Sequence, residues 1–341
     1  MQWRIIAVLA TLIPIIIIAL QFDIQLEDLL AIGLVPFMMA FILMMSKLVL
    51  QGVKFAYIAK SYTKMAGSAT KLCGVRVGAE FIKFSTPMFV GAEFIMIYYL
   101  HKRKVPPSQS AWIAFVDIVT EVLGAGILSI MAGIIAVLMG AYTIGVIVLL
   151  TSISITAIWT VLFFLSARRN FRVPKSLRVL ISRVGGERGE HYTKEIDKWL
   201  DGICKTSQKH ASSKRLTRVF TNSLIMSIAS WILYGLSFFV IAIGVGYQIG
   251  AFDSTMAVMA ANAIANLPIT VGGSGLAELG IFGYLNNANP FDFQLDEGGI
   301  EWDIIVGWRI ATYYIPIVIT WLLLVKLALS KVTRADIKDE T

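Results

Sequence analysis

The chain has 341 residues, 57% of them hydrophobic and 15% charged, with a mean hydropathy of +0.74 and a formal net charge of +8. Soluble globular chains carry roughly 25% charge and about 45–50% apolar residues, so this much apolar surface belongs in lipid. The reading is an all-α polytopic membrane protein. Disorder, a secreted disulfide scaffold and, despite the positive charge, nucleic-acid binding are excluded. Two cysteines, Cys73 and Cys204, make neither a disulfide framework nor a thiolate cluster. His101, His191 and His210 all lie in polar segments, and no HExxH-type arrangement falls in an apolar stretch. No metal and no cofactor are expected.

About 20 apolar residues cross the hydrocarbon as a helix. In chain order, 1–28 holds a first span over 3–20. It resembles a signal peptide, but no small-residue cleavage site follows, so it is read as retained. Segment 29–139 holds a span at 29–58, an apolar stretch at 76–103 broken by Pro and Gly, and a span at 110–139. A further span follows at 142–166, then a basic segment at 167–218. Segment 219–330 holds a span at 219–243, a second broken stretch at 255–286 and a span at 303–328.

Charge sets the expected orientation. Segment 167–218 has 14 Lys and Arg against 5 Asp and Glu, which exceeds the excess of the whole chain. Lys60, Lys64, Lys71 and Arg76 follow the second span, Lys102 to Lys104 follow the first broken stretch, and Lys331, Arg334 and Lys338 end the chain. Connections 21–28, 244–254 and 286–303 have no Lys or Arg and carry only acidic charge. The positive-inside rule then puts every basic segment and both termini in the cytoplasm. The basic segment is read first as a topology determinant. Its mildly periodic part, 192–203, suits an anionic lipid surface.

Each broken stretch begins and ends beside charges of one sign, so each is expected to enter and leave on one side. The result is six full spans and two re-entrant hairpins, arranged as an inverted repeat of span, hairpin and span. The tips support it. The first reads Ser-Thr-Pro87-Met-Phe-Val-Gly91-Ala-Glu93, the second Asn-Leu-Pro268-Ile-Thr-Val-Gly272-Gly273-Ser-Gly275-Leu-Ala-Glu278. Pro ends the first half-helix, and Gly supplies the φ > 0 conformations of a reversal. The competing reading is two continuous helices kinked at proline.

The second tip and its flanks, 265–285, resemble the signature of the lysylphosphatidylglycerol synthase transmembrane region. That is the flippase domain of MprF-type proteins, also found in YbhN-like and AglD-like membrane proteins. Segment 84–106 resembles the family's other motif through Thr86-Pro87, Gly91, Tyr98-Tyr99-Leu100 and the basic turn that follows. It departs at Ala92, where a second Gly is common. The resemblance spans about residues 5–330. No polar stretch is longer than 167–218, which leaves no room for the aminoacyl-transferase or glycosyltransferase domains that some relatives carry. The resemblance therefore implies lipid translocation and not synthesis.

Eight ionisable residues in spans or hairpins stand out: Lys47, Glu80, Lys83, Glu93, Asp117, Glu121, Glu278 and Arg309. A central charge costs roughly 2.5–3.5 kcal/mol on insertion scales, so a polar interior is expected. Asp117 and Glu121 share a helix face, as do Glu80 and Lys83. Lys47 and Lys83 have snorkelling as an alternative, and Arg309 has an interfacial belt with Trp302 and Trp308. Glu93 and Glu278 stand in the first turn of their second half-helices, as caps or as cavity ligands. The N–H groups near Gly91 and Gly275 form candidate anion sites.

The favoured expectation is a lipid flippase-like transporter of the cell membrane, not an enzyme. It would pass a phospholipid or polyprenyl-phosphate-linked headgroup between the hairpins. Candidate cavity residues are Glu80, Lys83, Glu93, Asp117, Glu121, Glu278 and Arg309, with Pro87, Gly91, Pro268, Gly272, Gly273 and Gly275 at the tips. No Walker motif is present, so a gradient or downhill lipid flow supplies the energy. An ion-coupled carrier of small solutes, a carboxylate-based intramembrane enzyme and a scaffold for a lipid-modifying enzyme are the alternatives. Homo-oligomer formation is left open.

Overall fold

The computed structural model describes residues 32–86, 91–168, 197, 201–202, 204–209, 213–267, 270, 272–286 and 302–329. The expected span at 3–20, Pro87, Pro268, most of the basic segment and nearly all of the acidic connection 286–303 lie outside the described residues.

In chain order the helices are α1 (Leu34–Tyr62), α2 (Ala69–Phe84), α3 (Ala92–Lys102), α4 (Pro107–Leu138), α5 (Tyr142–Arg168), α6 (Lys214–Gly244), α7 (Ala251–Ala265), α8 (Leu276–Leu285), α9 (Trp302–Arg309) and α10 (Ile315–Leu329). A π turn, Ile310–Tyr314, joins α9 to α10. Pro316 has no N–H to give to Thr312, and the turn just before it is wound wide instead. Among the described residues all regular structure is helical. Helices α1, α4, α5, α6 and the α9–α10 rod are long and apolar enough to cross a membrane. The chain is a multi-pass helical membrane protein. These five helices fall within about five residues of the spans read from hydropathy.

The four shorter helices differ in kind. Helices α2, α3, α7 and α8 have 16, 11, 15 and 10 residues. At about 1.5 Å per residue none of them bridges roughly 30 Å of hydrocarbon. Instead α2 packs on α3, and α7 packs on α8. A β-carbon on Gly91 would meet Ile82 at 2.7 Å, and one on Gly280 would meet the Ala261 Cα at 2.7 Å. Such contacts require the chain to double back, so the continuous kinked helices are not what forms.

Small and hydroxylic residues let the long helices close. Ser223, Ser227, Ser230 and Ser237 are fully buried along α6, spaced to lie on one helix face. Two of them meet α1, where Gln51 donates to the Ser230 hydroxyl at 2.5 Å and Lys54 to that of Ser227 at 3.1 Å. Gly124 of α4 approaches the same seam, with its would-be β-carbon 2.9 Å from that of Ser227. Apolar attraction between helices is weak in lipid, so close backbone approach and interhelical hydrogen bonds hold such contacts. Helix α5 packs mainly on α4 and turns Leu150, Ile153, Ile158, Val161 and Phe164 outward.

Candidate functional site

The site grows from helix α2. Arg76, Glu80 and Lys83 follow each other at four- and three-residue spacing, so all three face α4. Arg76 donates from Nε to Asp117 at 3.0 Å and from Nη2 to Glu121 at 2.6 Å, and it also binds Glu80. Lys83 pairs with Glu121 at 2.5 Å and lies 3.8 Å from Glu80. Lys54 enters from α1, 3.3 Å from a carboxylate oxygen of Asp117 and donating to that residue's carbonyl at 3.0 Å. Three cations thus meet three carboxylates, nearly all fully buried. A buried charge is tolerable only when paired and hydrogen-bonded, and this network meets that condition.

The second hairpin uses one pair. Glu278 is 1% exposed and accepts from Arg309 Nε at 2.7 Å, and Arg309 also donates to the Gly272 carbonyl at 3.3 Å. Arg309 is itself 2% exposed, and Trp302 and Trp308 are buried with it. Arg309, Trp302 and Trp308 therefore do not form an exposed belt. Its guanidinium stacks over the Tyr313 ring, 4.4 Å from the centroid.

Both second half-helices begin at glycines in the left-handed region, Gly91 at φ 125° and Gly275 at φ 84°. The Gly91 N–H donates to Glu93 at 2.9 Å, and the Gly275 N–H donates to Glu278 at 2.8 Å. At each candidate anion site one N–H is thus already taken by the chain's own carboxylate. Capping stabilises the helix start by joining a negative charge to its positive end.

The two hairpins meet at their broken ends. The Tyr313 hydroxyl donates to the Phe84 carbonyl at 2.7 Å, and the Gly272 N–H lies 3.4 Å from the Thr86 carbonyl. The adjacent Tyr314 hydroxyl lies 3.2 Å from that of Ser274. The π turn thus hands one tyrosine to each tip.

Between these parts lies a cavity of about 230 Å³. Glu80, Lys83, Glu121 and Arg309 line it, as do Lys47, Trp231, Tyr234, Trp308 and Asn262. Asp117 and Glu278 do not line it; they bind Arg76 and Arg309. Glu93 is half-buried and lies apart from it. The cavity reaches Ile158 of α5, whose side chain is 57% exposed on the outer surface.

Three features escape a linear reading. Lys54 lies inside the second span but is not among the eight ionisable residues singled out there. Arg76 reads as a cytoplasmic loop charge because it follows Lys71, yet it is 1% exposed at the centre of the network. The signal that was present is its four-residue spacing from Glu80. Lys47 does not snorkel: it is 6% exposed, over the rings of Trp231 and Tyr234. Among the described residues no group of three or more His, Cys, Asp or Glu is placed to hold a metal ion.

The family described as lysylphosphatidylglycerol synthase TM region matches the chain over residues 4–320. No curated protein and no solved structure matches it.

Proposed function

From the premise that the chain belongs to the lysylphosphatidylglycerol synthase TM region family, we propose that it is a lipid flippase-like transporter of the cell membrane. A phospholipid or lipid-linked polar headgroup passes through the cavity between the two hairpins while its chains stay in lipid. The hairpins are re-entrant from opposite sides, the two halves form an inverted repeat, and both termini are cytoplasmic. The basic segment 167–218 rests on the anionic leaflet. The protein moves lipid and does not modify it.

One observation carries this reading. The cavity joins an interior wall of ion-paired side chains to a rim at Ile158, on the outward face of α5. A carrier of small water-soluble solutes needs its cavity sealed from the bilayer, whereas a headgroup whose chains remain in lipid needs a side opening. The apolar lining beside the charges suits a substrate with both characters.

Reconstitution tests it. Liposomes containing the purified protein are expected to move a fluorescent headgroup-labelled phospholipid between leaflets, read as signal lost to a membrane-impermeant quencher. Transfer no faster than in empty liposomes, from folded protein, overturns the reading. Topology is tested separately. A cysteine at Ser108 is expected to label only from the cytoplasm and one at Asn289 only from outside, and labelling of both from one side removes the inverted repeat.

A further inference from the structure

The ion pairs among the described interior residues leave one cation over. Among the described residues, the cations Lys54, Arg76 and Lys83 meet Glu80, Asp117 and Glu121, and Arg309 meets Glu278. Lys47 is left over. It makes no ion pair within 4 Å and no hydrogen bond with another described residue, though it is 6% exposed and lines the cavity. Its ammonium sits 4.1 Å from the centroid of the Trp231 ring and 4.2 Å from that of Tyr234. Ring faces hold a cation but do not neutralise it. An uncompensated charge at membrane depth destabilises a fold, and such charges mark substrate sites.

We infer that Lys47 is the receptor for an anionic phosphate or phosphodiester group of the cargo, held in the cavity against the Trp231–Tyr234 wall. This rests on the reading of the cavity as the cargo site. The carboxylates that line it are already joined to Arg76 and Lys83, so a purely cationic headgroup finds no free counter-charge. An anionic one finds Lys47. Asn262 lines the same cavity with an amide that no other described residue engages, and this gives a second donor for a phosphate oxygen. Lysine suits the task as a point charge on a flexible stem, and rotation about that stem can lift it from the rings to the ligand.

Calorimetric binding to purified protein in a neutral detergent tests this with three probes: short-chain phosphatidylglycerol, the diacylglycerol with the same chains, and glycerol phosphate. Phosphatidylglycerol is expected to bind, with affinity at least about tenfold weaker in Lys47→Met and largely kept in Lys47→Arg, the scale of one charge-assisted bond. Diacylglycerol is expected to bind more weakly and to ignore the substitution. Lys47→Met is expected to melt at or above the wild-type temperature, because it removes an unpaired charge. Equal binding of phosphatidylglycerol by Lys47→Met and wild type overturns the inference, as does equal binding of diacylglycerol and phosphatidylglycerol by wild type. Melting of Lys47→Met well below wild type overturns it too, by making Lys47 a structural cation. Lys47-dependent binding of glycerol phosphate as tight as that of the lipid keeps the anion site and rejects a lipid source. Lipid transfer by wild type with unaltered binding in Lys47→Met would reject the inference and leave the transporter reading standing.

Discussion

The two hairpins handle buried charge in opposite ways. Helix α2 of the first puts Arg76, Glu80 and Lys83 into a network shared with Lys54, Asp117 and Glu121, while the carboxylate at its tip, Glu93, is a half-buried cap. The second hairpin brings no charged run. Its tip carboxylate, Glu278, is buried and among the described residues has Arg309 as its single cationic partner. The network is redundant and the isolated pair is not. Loss of any member but Asp117, the carboxylate that Lys54 reaches, leaves each remaining charge with another partner in reach. Loss of one member of the pair strands a full charge.

That contrast ranks the expected effects of substitution. The largest belongs to the isolated pair. Glu278→Gln and Arg309→Gln are each expected to cost about 3–5 kcal/mol of stability in thermal melts, the usual result of breaking a buried pair from one side. The double variant is expected to lose less than the sum of the two, and additive losses would show that the pair is not coupled. Lipid transfer by folded Glu278→Gln is expected to fall at least about tenfold, a rise of about 1.4 kcal/mol in the transfer barrier, because Arg309 on the cavity wall loses the carboxylate that holds it. Full transfer would leave Glu278 a cap.

Next comes the contact between the hairpins. Gly272 has φ 58°, and a β-carbon there would collide with the Tyr313 hydroxyl and lie 2.5 Å from the Phe84 carbonyl oxygen. Gly272→Val is expected to cost about 2–5 kcal/mol, combining left-handed backbone strain with overpacking, and to abolish transfer. A wild-type melt would mean that the tips do not touch.

The network gives a smaller effect. In Glu80→Gln, Arg76 keeps Asp117 and Glu121 while Lys83 keeps Glu121, so a loss of about 1–3 kcal/mol is expected. A loss as large as that of Glu278→Gln would remove the distinction between the two hairpins. Smallest is Glu93→Gln, expected to cost about 0.3–1 kcal/mol as a cap at a helix end, with transfer nearly intact. A tenfold loss of transfer there would assign Glu93 a role beyond capping.

Much of this architecture is written in the chain. Long apolar runs mark the long helices because lipid offers the backbone no hydrogen bonds and leaves it the helix as the open solution. The starts of α3 and α8 are legible as well. Gly91 and Gly275 take the left-handed turn, and the carboxylates two and three residues later bond back to them. These are local effects, acting within one helical turn.

Partner choice is not local, and only the tertiary structure decided it. Arg76 meets residues 41 and 45 positions away, Arg309 meets one 31 away, and Tyr313 reaches Phe84 across 229. No hydropathy window or helical period carries such information, so Arg76 reads as a loop charge and Lys54 goes unnoticed. The same reason hides Lys47. Its chemistry is plain in the sequence, but the absence of a counter-charge within 4 Å among the described residues is a property of the packed helices. Helix α4 brings Asp117 and Glu121 to Arg76 and Lys83, α1 delivers Lys47 to two aromatic rings, and among the described residues Lys47 has no ion-pair partner.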